Sequence, residues 1–293
     1  TMSSAIDYFL GAQTVSLNHL WTPASPVLGL NPAYDITVAY THQNTGFLPN
    51  GLSASAVQMK FSGQHGAPTI DAIGHIGVDG KVFGGIPTED VQGPDGLLMM
   101  GIEEYPEDKY TNRGVLVDIP FCKDIDRLDE NYIITQADVE DCLEKENVEI
   151  QEGDSVLIRT GYGALFEDEA YTTNYPGPSG EVATYLADKN IFLTGADNLS
   201  WDAANTPFPG HIILIPQNGI YIVENINLEL VSEACKERST WEFVLVMNPP
   251  KIKGAAAGAT NSFALFPGDL GNGNANGNSN GNSNGNHNGR GPW

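Results

Sequence analysis

The chain has 293 residues, and its 37 Asp and Glu side chains outnumber its 14 Lys and Arg side chains, which gives a net charge of −23. A surface of that sign repels nucleic-acid phosphates and anionic lipid headgroups, so the composition argues against nucleic-acid and membrane partners. Hydrophobic residues make up 41% of the chain, enough for a sizeable core, and the apolar runs are far too short to span a bilayer.

Short apolar runs, many of them β-branched, predict strands along the chain. They lie at residues 57–61, 114–118, 155–159, 191–194, 212–215, 220–223 and 243–246. Helices are predicted after the capping residues Thr135 and Ser179 and over residues 227–237. Strands interspersed with a few helices predict a mixed α/β domain.

The end of the chain differs in composition from the rest. From residue 271 onward, Asn alternates with Gly, Ala, Ser or His, and such a low-complexity segment cannot build a core. We therefore predict one globular domain over residues 1–270 and a flexible Asn/Gly-rich tail over residues 271–293. Because Asn-rich tracts can stack, a modest role of the tail in self-association stays open.

The three cysteines, Cys122, Cys142 and Cys235, show no CxxC spacing. This pattern argues against a zinc knuckle and against a secreted disulfide framework. The N-terminus has no basic region followed by an apolar run, so no secretory signal is recognised. We expect buried structural thiols in a protein of the reducing cytoplasm.

A first cluster of chemically useful side chains lies in a Gly- and Pro-rich stretch. His65, Asp71 and His75 fall within residues 65–75. Two imidazoles and a carboxylate can bind a divalent ion, or can form a base with its orienting partner. Histidines that merely face solvent are the alternative interpretation.

A second cluster follows from a predicted hairpin. The apolar runs 212–215 and 220–223 flank Pro216-Gln-Asn-Gly219, a strong turn signal. A four-residue loop would pair His211 with Glu224, and a two-residue loop would make them diagonal neighbours. Either register brings a His and a Glu together at the open end of the hairpin. A simple surface hydrogen bond between them is the alternative.

The two clusters and the segments around them resemble the metal-dependent cyclases and kynurenine formamidase-like hydrolases. The signature of that family, HxGTHxDxxxH, corresponds to residues 65–75, HGAPTIDAIGH. Further matches occur in the same order along residues 14–266, at residues 113–118, 153–161, 175–179, 195–197, 211–225, 241–243 and 250–254.

The resemblance implies a fold, an activity and a ligand set. The fold would be a swivelling β/β/α single domain with a mixed central sheet, assembled into homodimers or homotetramers. Members hydrolyse amide, lactam or imide-like bonds with one or two divalent ions, zinc or manganese. By position, His65, Asp71, His211 and Glu224 would be metal ligands, and His75 the acid/base group, with Glu224 also contributing to catalysis.

One departure from the signature bears on the metal. Thr69 stands where the family has its second histidine, and a hydroxyl is a poor ligand beside an imidazole. The chain would then hold a single ion through Asp71, His211 and Glu224 with support from His65. Alternatively, another residue such as Gln217 or His42 fills the gap, or the metal is absent.

We therefore expect a metal-dependent hydrolase that acts on a cyclic or linear amide, lactam or ester carbonyl of a small molecule. Metal-activated water would attack the carbonyl, and His75 would carry the proton. The alternatives are a metal-free cyclase, dehydratase or isomerase on the same fold in a natural-product pathway, and a non-catalytic binding protein. Further candidates for the substrate pocket are Thr69, His19, Gln217 and Asp197, of which Asp197 is either an orienting carboxylate or an ordinary turn residue.

Overall fold

The computed structural model describes residues 11–22, 24–29, 31, 34–45, 49–61, 64 and 66–268. The chain divides into two compact units. One comprises residues 14–266, and the other comprises the two termini, of which residues 11–13 and 267–268 are described. The predicted boundary at residue 270 and the Asn/Gly-rich tail lie outside the described residues.

The strands are β1 (Gln13–Ser16), β2 (Asp35–Tyr40), β3 (Ala56–Lys60), β4 (Thr69–Asp71), β5 (Gln92–Gly93), β6 (Gly96–Leu97), β7 (Thr111–Asp118), β8 (Ile133–Ile134), β9 (Ser155–Arg159), β10 (Gly177–Pro178), β11 (Leu193–Ala196), β12 (Tyr221–Glu224), β13 (Glu242–Val246), β14 (Ala257–Ala259) and β15 (Phe263–Phe266). The α-helices are α1 (Thr88–Val91), α2 (Ile119–Lys123), α3 (Gln136–Glu146), α4 (Gly180–Asp188), α5 (Pro209–Ile212) and α6 (Glu229–Arg238). A π-helix, Ile213–Gln217, continues α5, and single 3-10 turns lie at Pro49–Gly51, Phe83–Gly85, Ile102–Glu104, Glu107–Lys109, Tyr162–Leu165 and Glu169–Thr172.

Within the described residues, nine strands form one curled mixed sheet in the order β1-β15-β13-β7-β9-β11-β12-β4-β14. The four central strands β7, β9, β11 and β12 are parallel, and β13 and β4 flank them in antiparallel pairing. The central strands are buried throughout most of their length, as expected for parallel strands covered on both faces. This architecture confirms the predicted α/β class with a mixed central sheet.

The helices cover both faces of the sheet because consecutive strand residues point to opposite sides. Val115 and Val117 of β7 pack with α3 and α4, whereas Leu116 packs with α6 on the other side. Helix α3 begins as predicted: the Thr135 side chain accepts a hydrogen bond from the Asp138 amide, and the Asp138 carboxylate accepts one from the Thr135 amide. No helix in the described part of the chain is both long enough and apolar enough to cross a bilayer.

The predicted hairpin over residues 212–223 is wrong in its first arm. Residues 209–217 are helical, in α5 and the π-helix, and only the second run forms a strand, β12. A short apolar run suits a packed helix as well as a strand, and Pro209 at the first helical position has the φ that starts a helix.

The expectation of three free thiols is also wrong. Cys122 and Cys142 form a disulfide between α2 and α3, whereas Cys235 is free and buried. The two cysteines are 20 residues apart in sequence, and only the packing of α2 on α3 brings their Cα atoms within 5.3 Å. The cytoplasmic location stays a prediction.

Candidate active site

A cavity of about 490 Å³ opens where β4 and β12 pair and where α5 begins. Asp71, His75, His211 and Glu224 face it together. Its remaining wall is largely apolar and includes Leu28, Val78, Leu199, Phe208 and Ile212. All four described residues that we expected to bind the metal or to act in catalysis therefore meet in one concave place with a hydrophobic lining, the usual character of a small-molecule site.

Strand β4 contains Asp71, and the pairing of β4 with β12 and β14 determines which residues lie next to Asp71. Thr69 and Asp71 are two residues apart in a strand and share one face. Glu224 of β12 is the direct partner of Thr69, so its side chain lies on that same face. On the other side of β4, Ala257 pairs with Asp71 and Ala259 with Thr69, and both alanines have small side chains.

His211 is oriented by a carboxylate that the sequence analysis did not select. Asp202 accepts hydrogen bonds from the Gly210 amide (2.6 Å) and the His211 amide (3.2 Å) at the start of α5, and its Oδ2 lies 2.6 Å from His211 Nδ1. The ring is thereby fixed with Nε2 toward the cavity, 3.2 Å from Glu224 Oε1 and 3.4 Å from Asp71 Oδ2. Gly210 is required for this approach, because a Cβ atom there would lie 2.1 Å from the Trp201 ring.

His75 lies at the more open side of the cluster. Its Nε2 is 3.8 Å from Asp71 Oδ1, and its Nδ1 is 3.4 Å from Gln64 Nε2. About a quarter of the His75 side chain is exposed, so the ring can exchange protons with solvent. An imidazole between a buried carboxylate and solvent is suited to general acid/base work.

The buried carboxylates of the cavity and the buried His211 imidazole shift one another's pKa values. Both carboxylate oxygens of Asp71 are buried without a hydrogen-bond partner, since the nearby imidazole atoms approach it only as ion pairs. Burial opposes ionisation of Asp71, but His75 and His211 outweigh it and lower its pKa. Burial and the charge of Asp71 raise the pKa of Glu224 to about 7. Burial alone would lower the pKa of His211, yet Asp202, Asp71 and Glu224 raise it well above its ordinary value.

These residues fit a divalent cation. One ligand atom each from Asp71, His211 and Glu224 lie within 4.8 Å of one another, and all three residues are buried. An imidazole nitrogen with two carboxylate oxygens is a donor set that zinc or manganese accepts. A cation among them would also give the orphaned Asp71 oxygens a partner, which buried polar atoms normally have.

The remaining predicted residues have different positions. His65 lies outside the described residues. Thr69 is buried beside Glu224, on the same face of β4 as Asp71. Gln217 is exposed at the end of the π-helix and does not line the cavity, since its segment is helical and not the predicted turn. His42 also lies away from the cavity lining, with Nδ1 2.9 Å from the Ser53 hydroxyl.

Two further pocket candidates, Asp197 and His19, do not line the cavity. Asp197 is buried and accepts hydrogen bonds from the Thr160 amide and hydroxyl (2.7 Å each) and from the Gly161 amide (2.8 Å), so it holds the end of β9. Burial raises its pKa to about 6. The ring of His19 stacks on Phe166 at 4.0 Å and does not line the cavity, and burial lowers its pKa to about 4.

Sequence reasoning missed Asp202. Asp202 lies nine positions before His211, a separation without meaning until residues 209–212 are known to be helical. Phe208 has a left-handed backbone (φ 56°) directly before Pro209, and its ring meets the His211 ring edge-on at 5.6 Å. A bulky residue with positive φ is uncommon and is found disproportionately at functional sites.

The family model described as "Putative cyclase" matches residues 15–203. The structure of a protein described as a novel cyclase is similar to this chain, with a TM-score of 0.81 and 25% identity over 90% of both chains. Isatin hydrolase A from Ralstonia solanacearum has a TM-score of 0.69 and 18% identity, and the similarity covers 90% of this chain and 97% of that one. A protein described as a predicted metal-dependent hydrolase from Bacillus stearothermophilus has a TM-score of 0.60 and 20% identity, over 87% of this chain and 98% of that one.

The sequence matches no curated protein. The family model nevertheless spans well over half of the chain, and the similar structures cover nearly all of the α/β fold. The chain therefore belongs to the cyclase family.

Proposed function

We propose that this chain is a metal-dependent hydrolase that cleaves a C–N or C–O bond next to a carbonyl in a small, neutral amide, lactam or ester. The single observation that carries the proposal is the buried carboxylate of Asp71. Its two oxygens have no hydrogen-bond partner, and they face His211, Glu224 and His75 in an apolar cavity. Membership in the cyclase family and the likeness to hydrolases support an enzyme of this kind.

Asp71, His211 and Glu224 would hold one divalent ion, zinc or manganese, with His65 in support. When bound, such an ion polarises a carbonyl oxygen and lowers the pKa of water that it binds. Thr69 offers no imidazole for a second ion, so we propose one ion per chain.

The protein residues would have distinct tasks in this reaction. Asp202 holds His211 at its Nδ1 and so leaves Nε2 facing the cavity. His75 would accept a proton at Nε2 from the attacking water and return it to the leaving group, while Asp71 at 3.8 Å stabilises the charged ring. The apolar wall around Phe208 excludes bulk water from the cluster.

The substrate would be uncharged at the end that enters the cavity. Among the described residues that line the cavity there is no Lys or Arg, whereas two carboxylates face it. An anionic group would meet repulsion there without a cationic side chain to bind it. A small amide, lactam or ester with an apolar ring or chain suits both the volume and the lining.

A metal-free acid/base enzyme, a cyclase, dehydratase or isomerase, is the second candidate. The 2.6 Å contact between His211 and Asp202 favours it, because a base with its own orienting carboxylate is a complete proton-transfer unit without a cation.

Elemental mass spectrometry on protein never exposed to chelator or nickel resin tests the proposal. We expect about one equivalent of zinc or manganese per chain in the wild type. We expect a large loss of metal in Asp71→Asn but not in Asp79→Asn, which changes an exposed carboxylate in a turn. Hydrolysis of an amide and lactam panel should stop in chelator and return with added metal. A folded wild type that takes up no metal, or turnover unchanged by chelator, would favour the metal-free enzyme.

A further inference from the structure

A second set of ligating side chains lies outside the cavity. Cys122 belongs to α2, and Cys142 and Glu146 lie one turn apart on the same face of α3. One ligand atom from each residue lies within 4.8 Å of the other two. The two sulfurs form the disulfide described above, so the carboxyl group of Glu146 stands beside a redox-active pair.

Glu146 is a buried residue with a hydrogen bond at only one of its two carboxyl oxygens. It is 4% exposed, and its Oε1 accepts a hydrogen bond from the Asp118 amide at 3.0 Å. Its Oε2 is buried and has no hydrogen-bond partner. Burial raises the pKa of Glu146 to about 9. A buried carboxyl oxygen normally has a partner, and a cation that displaces the proton of Glu146 would supply one.

The surrounding cations are engaged elsewhere. The guanidinium of Arg159 lies 2.9 Å from the Asp118 carboxylate. The ammonium of Lys145 donates to the carbonyls of Phe121 (3.1 Å) and Cys122 (3.0 Å). These contacts occupy Arg159 and Lys145. Glu146 Oε2, beside the two sulfurs, still has no hydrogen-bond partner.

The positions of Cys122 and Cys142 also suit a metal site after the disulfide is reduced. Cys142 Sγ lies 3.4 Å from the Asp118 carbonyl oxygen, to which a thiol can donate a hydrogen bond. The Cα atoms of Cys122 and Cys142 are 5.3 Å apart. Two thiolates on one tetrahedral ion have sulfurs about 3.8 Å apart, given a Zn–S bond of about 2.3 Å. Rotation of the freed side chains can reach this separation. Cys122 is partly exposed, so an ion and one water ligand have access.

We propose that Cys122, Cys142 and Glu146 bind a soft divalent cation of the zinc class when the disulfide is reduced. A dithiol reductant breaks the S–S bond, transfers two electrons and two protons to the sulfurs, and leaves as its own cyclic disulfide. Binding of the cation then releases the two thiol protons, and the proton of Glu146, to solvent. The corner between α2 and α3 is thereby linked either by a disulfide or by a metal ion.

The donor atoms separate this site from the proposed catalytic one. Thiolates favour zinc and cadmium over manganese and magnesium, whereas Asp71, His211 and Glu224 offer only oxygen and nitrogen. A thiolate–cadmium charge-transfer absorption in the ultraviolet therefore reports on the cysteine site and not on the cavity. The outcome does not depend on whether the cavity binds a metal or hydrolyses anything.

The experiment is a Cd²⁺ titration of the full chain, reduced with dithiothreitol and desalted without oxygen. We expect the charge-transfer band to be absent in the oxidised protein and to persist in Asp71→Asn, where it should saturate at one equivalent because the altered cavity does not compete for Cd²⁺. Cys122→Ser and Cys142→Ser should abolish the band. Glu146→Gln should weaken Cd²⁺ binding at least about tenfold, because even an outer-shell partner is typically worth that much.

Cys235→Ser is the matched control, because it removes a buried cysteine outside the cluster and should keep the band. Cys122 is partly exposed, so Cys122→Ser remains a test if Cys142→Ser does not fold. A reduced, folded wild type without the band overturns the proposal. So does a band that survives Cys122→Ser or disappears in Cys235→Ser.

Discussion

His211 illustrates how single residues set the electrostatics of the cavity. One ring nitrogen is held by Asp202 at 2.6 Å, and the other faces Asp71 and Glu224. An outer carboxylate of this kind fixes the tautomer and direction of a ligating imidazole. The orientation of His211 therefore depends on a residue that has no place in the family signature.

Asp202→Asn should weaken binding of zinc or manganese by about 10–100-fold while the chain stays folded, because the His211 ring loses its charged acceptor. The measurement is a competition titration against a chromophoric chelator, together with a thermal melt. Asp197→Asn is the control: this equally buried aspartate holds β9, so its replacement should lower the melting temperature and leave the metal affinity unchanged. Equal loss of affinity in both variants would contradict the role of Asp202.

Glu146 should make stability depend on pH. Burial raises its pKa to about 9 from an ordinary 4.5, so the folded chain holds this proton more tightly than the unfolded chain. The contribution to stability is then complete below about pH 4.5 and is lost as the pH rises through about 9.

In oxidised protein, Glu146→Gln should therefore flatten the fall in stability between pH 6 and pH 9.5, an effect of at least about 1–3 kcal/mol. Urea unfolding at several pH values measures it. Glu144→Gln, an exposed carboxylate in the same helix, is the control and should follow the wild type. Parallel curves for all three proteins would show that Glu146 ionises normally.

At the scale of elements, β4 places position 69 beside the candidate metal ligands of the cavity. The strand has three residues, and its cavity face carries Asp71 and Thr69, with Glu224 opposite Thr69. A histidine at position 69 would therefore point to the same face as Asp71 and lie next to Glu224. We therefore expect the residue type at this one position, and not the fold, to limit the ligand set.

Thr69→His should raise the metal content from about one to about two equivalents per chain, measured by elemental mass spectrometry. Because Thr69 is buried, the larger side chain should cost about 1–3 kcal/mol of stability. Thr69→Gln, which adds bulk without an imidazole, is the control and should stay at one equivalent. The interpretation of position 69 fails if the folded histidine variant binds no more metal than the glutamine variant.

The elements also show why some of the site could be predicted from sequence and some could not. His211 and Glu224 do converge, but through a helix and a strand and not through the predicted hairpin. Strand β4 lies between β12 and β14 in the sheet, but it contains a single aliphatic side chain, Ile70. So short a segment has no hydrophobic periodicity, and the strand could not be predicted from the sequence. The roles of Asp202 and the disulfide depend on packing between distant segments, which spacing alone does not encode.

At the scale of the whole molecule, the ribbon formed by β2 and β3 stands out. Within the described residues, these strands pair only with each other. Ile36 pairs with Met59 and Val38 with Val57, so one face of the ribbon is apolar, and Val38 is 64% exposed. A two-stranded ribbon is marginal in water, and an exposed apolar face usually marks an interface. We propose that a second copy of the chain covers it in a homo-oligomer.

Size-exclusion chromatography with light scattering should therefore report a dimer or tetramer for the wild type. Val38→Glu should shift it to a smaller species by placing a charge in the buried contact. Thr37→Glu, in the same strand but on the opposite face, should leave the assembly intact. A monomeric wild type, or an assembly that tolerates Val38→Glu, would argue against this interface.

The position of β4 between β12 and β14 also determines when the site can form during synthesis. Asp71 leaves the ribosome well before residues 221–224 and 257–259, its two partner strands. At a typical rate of about 5–20 residues per second, the delay is on the order of ten seconds. During this time β4 lacks its partner strands, so nascent chains that end before β14 cannot complete the sheet around Asp71. The sheet around Asp71 is therefore completed late in translation, and we expect chains truncated before residue 257 to hold β4 less firmly because they lack one of its two partner strands.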